Sequence, residues 1–447
     1  MEVKMIYYVD SVNGDDGNCG TQENAPLRSL ERVNGLKLQP GSEIRFCRGG
    51  SWKGMLVLRD SGTRFEPIRI SSYGEGEMPE IDGCGAWAGI WLNGCSHVIV
   101  ENLKVANRAE KCRLRQGICV EGRAEGITEY VTVRNCEILE VSGQNGREEP
   151  VYESMYWNGG IYVTMPGRSS AENHLHHIHV LNNYIHDVTT SGIRINQEED
   201  FINDIHHTCV VVRGNRIERT GADGIIVANC ISPLIDSNVC RDAGALGSLE
   251  RTRLIAGIWV CAVSNALIQR NEVSGTRLFM DDGTAFDTDW GTEGTTVFQY
   301  NYTHDNAGGF WLDCSGLNYN EKYEKTILRY NISLRDGRGI AVGDQGLPVE
   351  FYGNIFAFDK TAALCVGKGG RSFHFRDNLF LFREELSDHW GEAEMSGNQY
   401  AAQVCMRDMQ GTMGDGLDAE EMLREVHDGR EWLEEKWGAL SRFSGKA

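Results

Sequence analysis

Proline is scarce in this chain, at 8 of 447 residues, and no CxxC pair occurs among its 14 cysteines. Scarce proline argues against a proline-rich linker protein. The cysteines stand singly, and Cys119, Cys230, Cys261 and Cys314 lie in or beside apolar strand-like stretches, where a free thiol behaves as a small hydrophobe. Reduced thiols and a cytoplasmic location are the expectation. No apolar run of 18 residues exists, so no helix is expected to cross a membrane. The opening "MEVKMIYYVD" lacks the apolar core and cleavage site of a secretory leader. Positive charge is short as well: 44 Lys and Arg face 64 Asp and Glu, a formal charge of −20. Such a field opposes nucleic acids, anionic membranes and polyanionic substrates, unless a cation bridges them. A neutral partner fits best.

Glycine is plentiful, at 53 residues, and the chain repeats itself. One phrase alternates apolar residues, then carries an asparagine, one further residue and an apolar one. It centres on Asn102, Asn135, Asn183, Asn215, Asn238, Asn271, Asn301, Asn331, Asn354 and Asn378. The spacings fall to 23 residues at the shortest, which means one structural turn plus loops of varying length. A second phrase, glycine followed by alternating apolar residues, reads "GICVE", "GIYVT", "GIRIN", "GIIVA", "GIWVC", "GGFWLD" and "GIAVG". Each unit thus holds at least two short strands that cannot bury a face alone. Stacking equivalent strands about 4.8 Å apart solves that, which predicts an all-β right-handed parallel β-helix, a pectate-lyase-like solenoid. Asparagines stacked in the turns would satisfy backbone groups coil after coil.

The expected organisation is an N-terminal cap with the first coils over 1–83, the β-helix with its functional face over 84–385, and a C-terminal helical cap over 386–447. Helical spacing in "DAEEMLREVHDGREWLEEKWGALSRF", opened by Asp418 and Glu421 as a capping box, supports the last. The segment 6–83 resembles the opening of bacterial β-helix carbohydrate-active proteins, in which a short helix caps the first coil.

Residues 279–291, "FMDDGTAFDTDWG", crowd Asp281, Asp282, Asp287 and Asp289 into nine positions without a lysine or arginine. Aligning the second phrases puts Ile258, Phe286 and Phe310 inside the coil. Arg194, Ile226, Trp259, Asp287 and Trp311 then form one outward column, and Asn196, Ala228, Cys261, Asp289 and Asp313 its neighbour. In this register Asp289 and Asp313 stand on adjacent coils, about 5 Å apart, the separation of a retaining glycosidase pair. Carboxylates that close cannot both ionise easily, so one becomes the acid and the other stays charged. Trp259, Trp290 and Trp311 would offer faces to sugar rings, and Arg194 and Asn196 would reach hydroxyl groups. Long insertions at 139–159, 165–177 and 197–208 fall near this face, the first bringing Tyr152, Tyr156 and Trp157 as a substrate wall.

No metal is assigned. Four aspartates split across a turn match no calcium-loop motif, although Ca²⁺ is the one ion the cluster brings to mind. The histidines of "HLHHIH" (174–179) and "HH" (206–207) lack zinc-finger or HExxH spacing and read as surface or loop residues. His304 and Asp305 in "THDN" repeat as His186 and Asp187 in "IHDV", so they read as a feature of the coil turn before a catalytic pair.

The stretch "DDGTAFDTDWGTEGTTVFQYNYTHDNAGGFWLDCSG" (281–316) resembles the catalytic region of β-helix glycoside hydrolases. In the β-helix lacto-N-biosidase family the acid/base and nucleophile aspartates lie seven residues apart, which maps onto Asp282 and Asp289. In the β-helix β-xylosidase family a carboxylate one coil after the nucleophile is the acid/base, which maps onto Asp289 and Asp313, with Asp in place of Glu. The resemblance implies a retaining, exo-acting glycoside hydrolase on a neutral oligosaccharide. Asp289 would attack, Asp282 or Asp313 would protonate the leaving oxygen, and Asp287 would tune the pair. Two alternatives stand beside it. One is a uronate-specific polysaccharide lyase or epimerase, for which Arg194 is the lone basic candidate; the other is a carbohydrate-binding β-helix without catalysis.

Overall fold

A computed structural model of the protein describes residues 5–144, 157–199, 203–247, 255–279, 282–316, 320–343, 345–358, 371–382 and 393–402. Tyr152, Tyr156 and Asp281 lie outside the described residues, as does most of the expected helical cap. The described part of that segment, 393–402, is not helical but adds the strands Glu394–Ser396 and Gln399–Ala402 to two of the sheets, so the solenoid runs past the expected boundary at 385. The chain divides into two compact units, Met1–Ile231 with Gly244–Arg253, and Ser232–Ala243 with Leu254–Ala447.

Each unit is a parallel β-helix built from three sheets, and most turns of chain contribute a strand to each, although the sheets hold 16, 10 and 13 strands. In the N-terminal unit the second sheet stacks Leu56–Leu58, Ala88–Asn93, Gln116–Glu121, Ile161–Met165, Ile193–Gln197 and Ile225–Ala228 in parallel. In the C-terminal unit its counterpart stacks Ala256–Cys261, Thr284–Thr288, Gly309–Asp313 and Ala341–Val342. The single short helix among the described residues, Leu30–Asn34, follows the first strand, and the Ser29 side chain caps it by accepting from Arg32 N at 3.1 Å.

The recurrent asparagine is the rail on which the C-terminal unit is built. Asn238, Asn271, Asn301, Asn331, Asn354, Asn378 and Asn398 stand one above another. The Asn301 side-chain amide donates to Ile268 O and to Asn331 Oδ1, both at 3.0 Å, and its Oδ1 accepts from Asn271 N at 2.9 Å. Asn183 and Asn215 make the same contact in the N-terminal unit. Asn102 and Asn135 depart from the expected equivalence. They adopt left-handed φ of 60° and 52°, one residue ahead of the rail, and Cys136 occupies the rail position and donates its backbone N–H to Asn183 Oδ1. Asparagine suits both positions, since its short side chain also tolerates the left-handed region.

The core of the C-terminal unit is aromatic. Phe286 meets Phe298 at 5.3 Å and Phe310 meets Phe356 at 5.5 Å, while Phe351 and Phe375 stack in parallel at 4.1 Å. The "IHD" and "THD" phrases form the same network in each unit. His186 lies 2.7 Å from Asp187 and stacks on Tyr184; His304 lies 2.7 Å from Asp305 and stacks on Tyr302. Arg219 and Arg335, one coil on, clamp the two aspartates. The turn-feature reading of these residues therefore holds.

Candidate active site

The strand Thr284–Thr288 is buried from end to end. Trp259 pairs with Asp287, as the sequence alignment expected, but both are buried, at 6% and 7% exposed, so Trp259 does not stand out as the sugar platform expected of it. On the next coil the register differs from that alignment by one residue. Phe286 pairs with Trp311, Asp287 with Leu312 and Thr288 with Asp313. The reason is glycine. Gly309 pairs with Thr284 from a φ of +113°, and a Cβ there would meet Gly339 O at 2.7 Å. That extra residue at the strand start moves everything after it by one position, and one position inverts a strand.

Two expectations are corrected as a result. Trp311 is no sugar platform: it is wholly buried against Phe351 and Phe373, with its indole N–H donating to Thr288 Oγ1 at 3.1 Å. Asp313 is not the rung neighbour of Asp289. It is wholly buried, accepts from Ser315 Oγ at 2.5 Å and Ser315 N at 3.2 Å, and reaches Gln345 N at 3.2 Å. Its carboxylate is engaged in holding a turn.

Cys314 takes the place expected for Asp313. One ligand atom from each of Asp287, Asp289 and Cys314 lies within 4.8 Å of the others. Burial pushes the Cys314 thiol far above its ordinary range, and the charges of Asp287, Asp289, Asp282 and Asp313 push it further. Asp287 and Asp289 thus lie beside a thiol that burial and their charges keep protonated. Asp282 and Asp289 are both partly exposed, as substrate access requires. The sequence placed Cys314 beside an apolar strand as a small hydrophobe and gave it no part in the site. The donor set does not suit calcium, which takes six to eight oxygens, whereas here a thiol sits between two carboxylates.

Local turns aim the aspartates. Asp282 closes a tight turn by donating its N–H to Phe279 O at 3.2 Å, and Gly283 follows at φ +121°. A Cβ at Gly283 would meet Arg277 O at 2.5 Å. Asp289 donates its N–H to Val260 O at 2.8 Å and its carbonyl accepts from Thr292 Oγ1 at 2.8 Å. Trp290 is partly exposed, and its indole nitrogen has no hydrogen-bond partner among the described residues.

Arg194, Asn196 and Trp157 belong to the N-terminal unit. Tyr162 pairs with Arg194 and Thr164 with Asn196, and both Arg194 and Asn196 are wholly buried, which corrects the expectation that they stand outward to meet substrate hydroxyls. Trp157 packs beside Trp87 and Trp91 on a cluster formed by Ala88, Cys119 and Tyr162. Trp91 donates its indole N–H to Glu121 at 3.1 Å, and Arg59 lies over its ring at 5.8 Å. Burial raises the Glu121 carboxyl group, and burial together with Glu121 raises that of Glu198. The sequence reading missed this aromatic and acidic ledge, although "GIWLN" at 89–93 is a further copy of the second phrase.

No protein-family model matches the chain. The lacto-N-biosidase of Bifidobacterium longum subsp. longum is 25% identical over 490 residues, 88% of this chain and 30% of that protein. The chain therefore spans about a third of the length of that curated relative. The crystal structure of the GH136 lacto-N-biosidase from Eubacterium ramulus matches with a TM-score of 0.69 and 23% identity, covering 90% of this chain and 68% of that one. Its selenomethionine derivative gives the same score at 24% identity. XylC in complex with xylose matches at a TM-score of 0.47 and 10% identity, too remote to bear on the site. The resemblance to β-helix lacto-N-biosidases and the parallel β-helix fold both stand.

Proposed function

We propose that the chain is a retaining glycoside hydrolase of neutral oligosaccharides, acting from a chain end. Asp289 is the nucleophile, Asp282 the acid/base, and Asp287 a group that orients a hydroxyl or tunes the pair. The observation that carries this reading is the grouping of Asp287 and Asp289 with Cys314 within 4.8 Å, with the partly exposed Asp282 just ahead of the strand Thr284–Thr288. Carboxylates crowded in a partly buried site divide their roles: one is held protonated and supplies the leaving-group proton, while its partner stays ionised and attacks the anomeric carbon. Asp282 is preferred over Asp313 because Asp313 is wholly buried and bonded to Ser315 and Gln345. The similarity to a lacto-N-biosidase makes lacto-N-biose-terminated oligosaccharides the first substrates to try.

The test is a panel of nitrophenyl glycosides and neutral oligosaccharides, nitrophenyl lacto-N-bioside and a polyuronate included. Asp289→Asn is expected to abolish turnover and, with azide added, to recover it as a glycosyl azide of inverted anomeric configuration. Asp282→Asn is expected to lower kcat/KM by about 10²–10⁴-fold, least for the best leaving group. Wild-type turnover by the Asp289 variant would overturn the assignment. Turnover of the polyuronate alone, with an unsaturated product, would replace the reading with a lyase.

A further inference from the structure

The first sheet of the N-terminal unit contains Leu175–Leu181, with the sequence LHHIHVL. In a regular strand His176 and His177 would point to opposite sides. Here they do not, because His177 adopts a left-handed φ of 53° and drops out of the pairing. Glu129 pairs with His176 and Val131 with Ile178, which leaves Tyr130 and His177 as matched extra residues on adjacent coils. His97, Tyr130, His177 and Cys209 share this kinked conformation, with φ between 53° and 56°. The kinks stack: His97 lies on Tyr130 at 5.1 Å and Tyr130 on His177 at 4.4 Å. The rings of His176 and His177 are 4.1 Å apart, and Thr208, the register partner of His176, places Cys209 one coil beyond His177.

We infer that His176, His177 and Cys209 form a binding site for a late first-row divalent metal ion of the Zn²⁺ type. One ligand atom from each lies within 4.8 Å of the others. Two imidazoles and a thiolate make a borderline-soft donor set, which selects zinc-like ions and rejects Ca²⁺ and Mg²⁺. Tetrahedral edges in such a site are about 3.3–3.6 Å, so closing it takes about 1 Å of side-chain movement. Cys209 is exposed and free to make that adjustment, and a water completes the shell.

Groups beyond the three ligands suit the same task. Thr208 Oγ1 lies 2.6 Å from His176 Nδ1, so a proton on Nδ1 turned to Thr208 leaves Nε2 for the ion. The Tyr130 ring limits rotation of His177, whose Nδ1 is buried and makes no hydrogen bond among the described residues. Binding converts the Cys209 thiol to a thiolate and releases its proton to solvent. The site lies in the N-terminal unit and does not depend on the glycosidase reading.

The experiment strips the full chain with a chelator under a non-thiol reductant and titrates it with Co²⁺ alone. Expected are a thiolate-to-cobalt charge-transfer band saturating near one ion per chain, and its loss on adding Zn²⁺. Cys209→Ser should remove the band, His177→Ala should weaken binding at least about tenfold, and Cys314→Ser should leave both unchanged, with circular dichroism reporting the fold. Absence of the band in the wild-type chain, its survival in Cys209→Ser, or its loss only in Cys314→Ser would overturn the proposal. If Cys209→Ser fails to fold, unaltered Co²⁺ affinity in His177→Ala overturns it as well.

Discussion

A carboxylate that accepts a hydroxyl and two backbone N–H groups cannot easily serve a substrate as well. Asp313 is in that position, while Asp282 is partly exposed and spends its backbone N–H on its own turn. The two candidate acid/base residues should therefore separate cleanly by mutation. Asp313→Asn exchanges one acceptor oxygen for a donor inside the protein and should destabilise it by about 1–3 kcal/mol. Its kcat per folded molecule should stay within about threefold of wild type, against about 10²-fold or more for Asp282→Asn. Thermal unfolding and active-site-normalised kinetics on both variants decide it. An Asp313→Asn enzyme that is stable but inactive would reverse the assignment. Why the sequence pointed to both residues is instructive. "WLD" and "DTD" alternate alike, and only the conformation of Gly309 decides which positions face each other. A positive φ cannot be read from periodicity, so Trp311 looked like a platform when it is core. The bulge that brings His176 and His177 together was hidden for the same reason.

Strands and turns were more legible, because each coil repeats the same chemistry. Every rail asparagine feeds hydrogen bonds to the coil on either side, so a single loss is felt twice. Asn301→Leu removes the acceptor for Asn271 N and the donor to Ile268 O. A loss of roughly 3 kcal/mol is expected, read as a lower denaturation midpoint at unchanged slope. The Tyr-x-His-Asp networks act at the same scale through charge. Burial alone would depress His304, but the Asp305 and Glu272 contacts outweigh it and raise its pKa to about 9. A folded value above the ordinary 6.5 stabilises the native state fully below that pH, and the gain fades as pH rises through about 9. Glu272 and Asp305 are held below their ordinary 4.5 and 3.8, so their share is lost on the acid side. Melting temperature measured from pH 6 to about 10 should fall for wild type. For His304→Gln it should start lower and fall less. Parallel curves for the two proteins would count against the network.

For the whole molecule, the net charge of −20 sets what can approach. If the substrate is the neutral oligosaccharide proposed, its recognition involves no long-range attraction that salt could screen. KM for a neutral substrate should therefore change less than about twofold over a tenfold range of ionic strength. A steep salt dependence would point to a charged ligand instead. The repeat that predicted the solenoid also explains why its chemistry was harder to read. Coils differ where loops leave the rail, and those departures carry no periodic signal.

Successive rail asparagines are 33, 30, 30, 23, 24 and 20 residues apart, yet the amides meet at 2.9–3.0 Å every time. Such a scaffold separates alignment from decoration. Excursions between two fixed vertices can be lengthened, shortened or exchanged without disturbing the sheets, so altering a loop beside the rail is a matter of grafting one segment and not of redesigning a core.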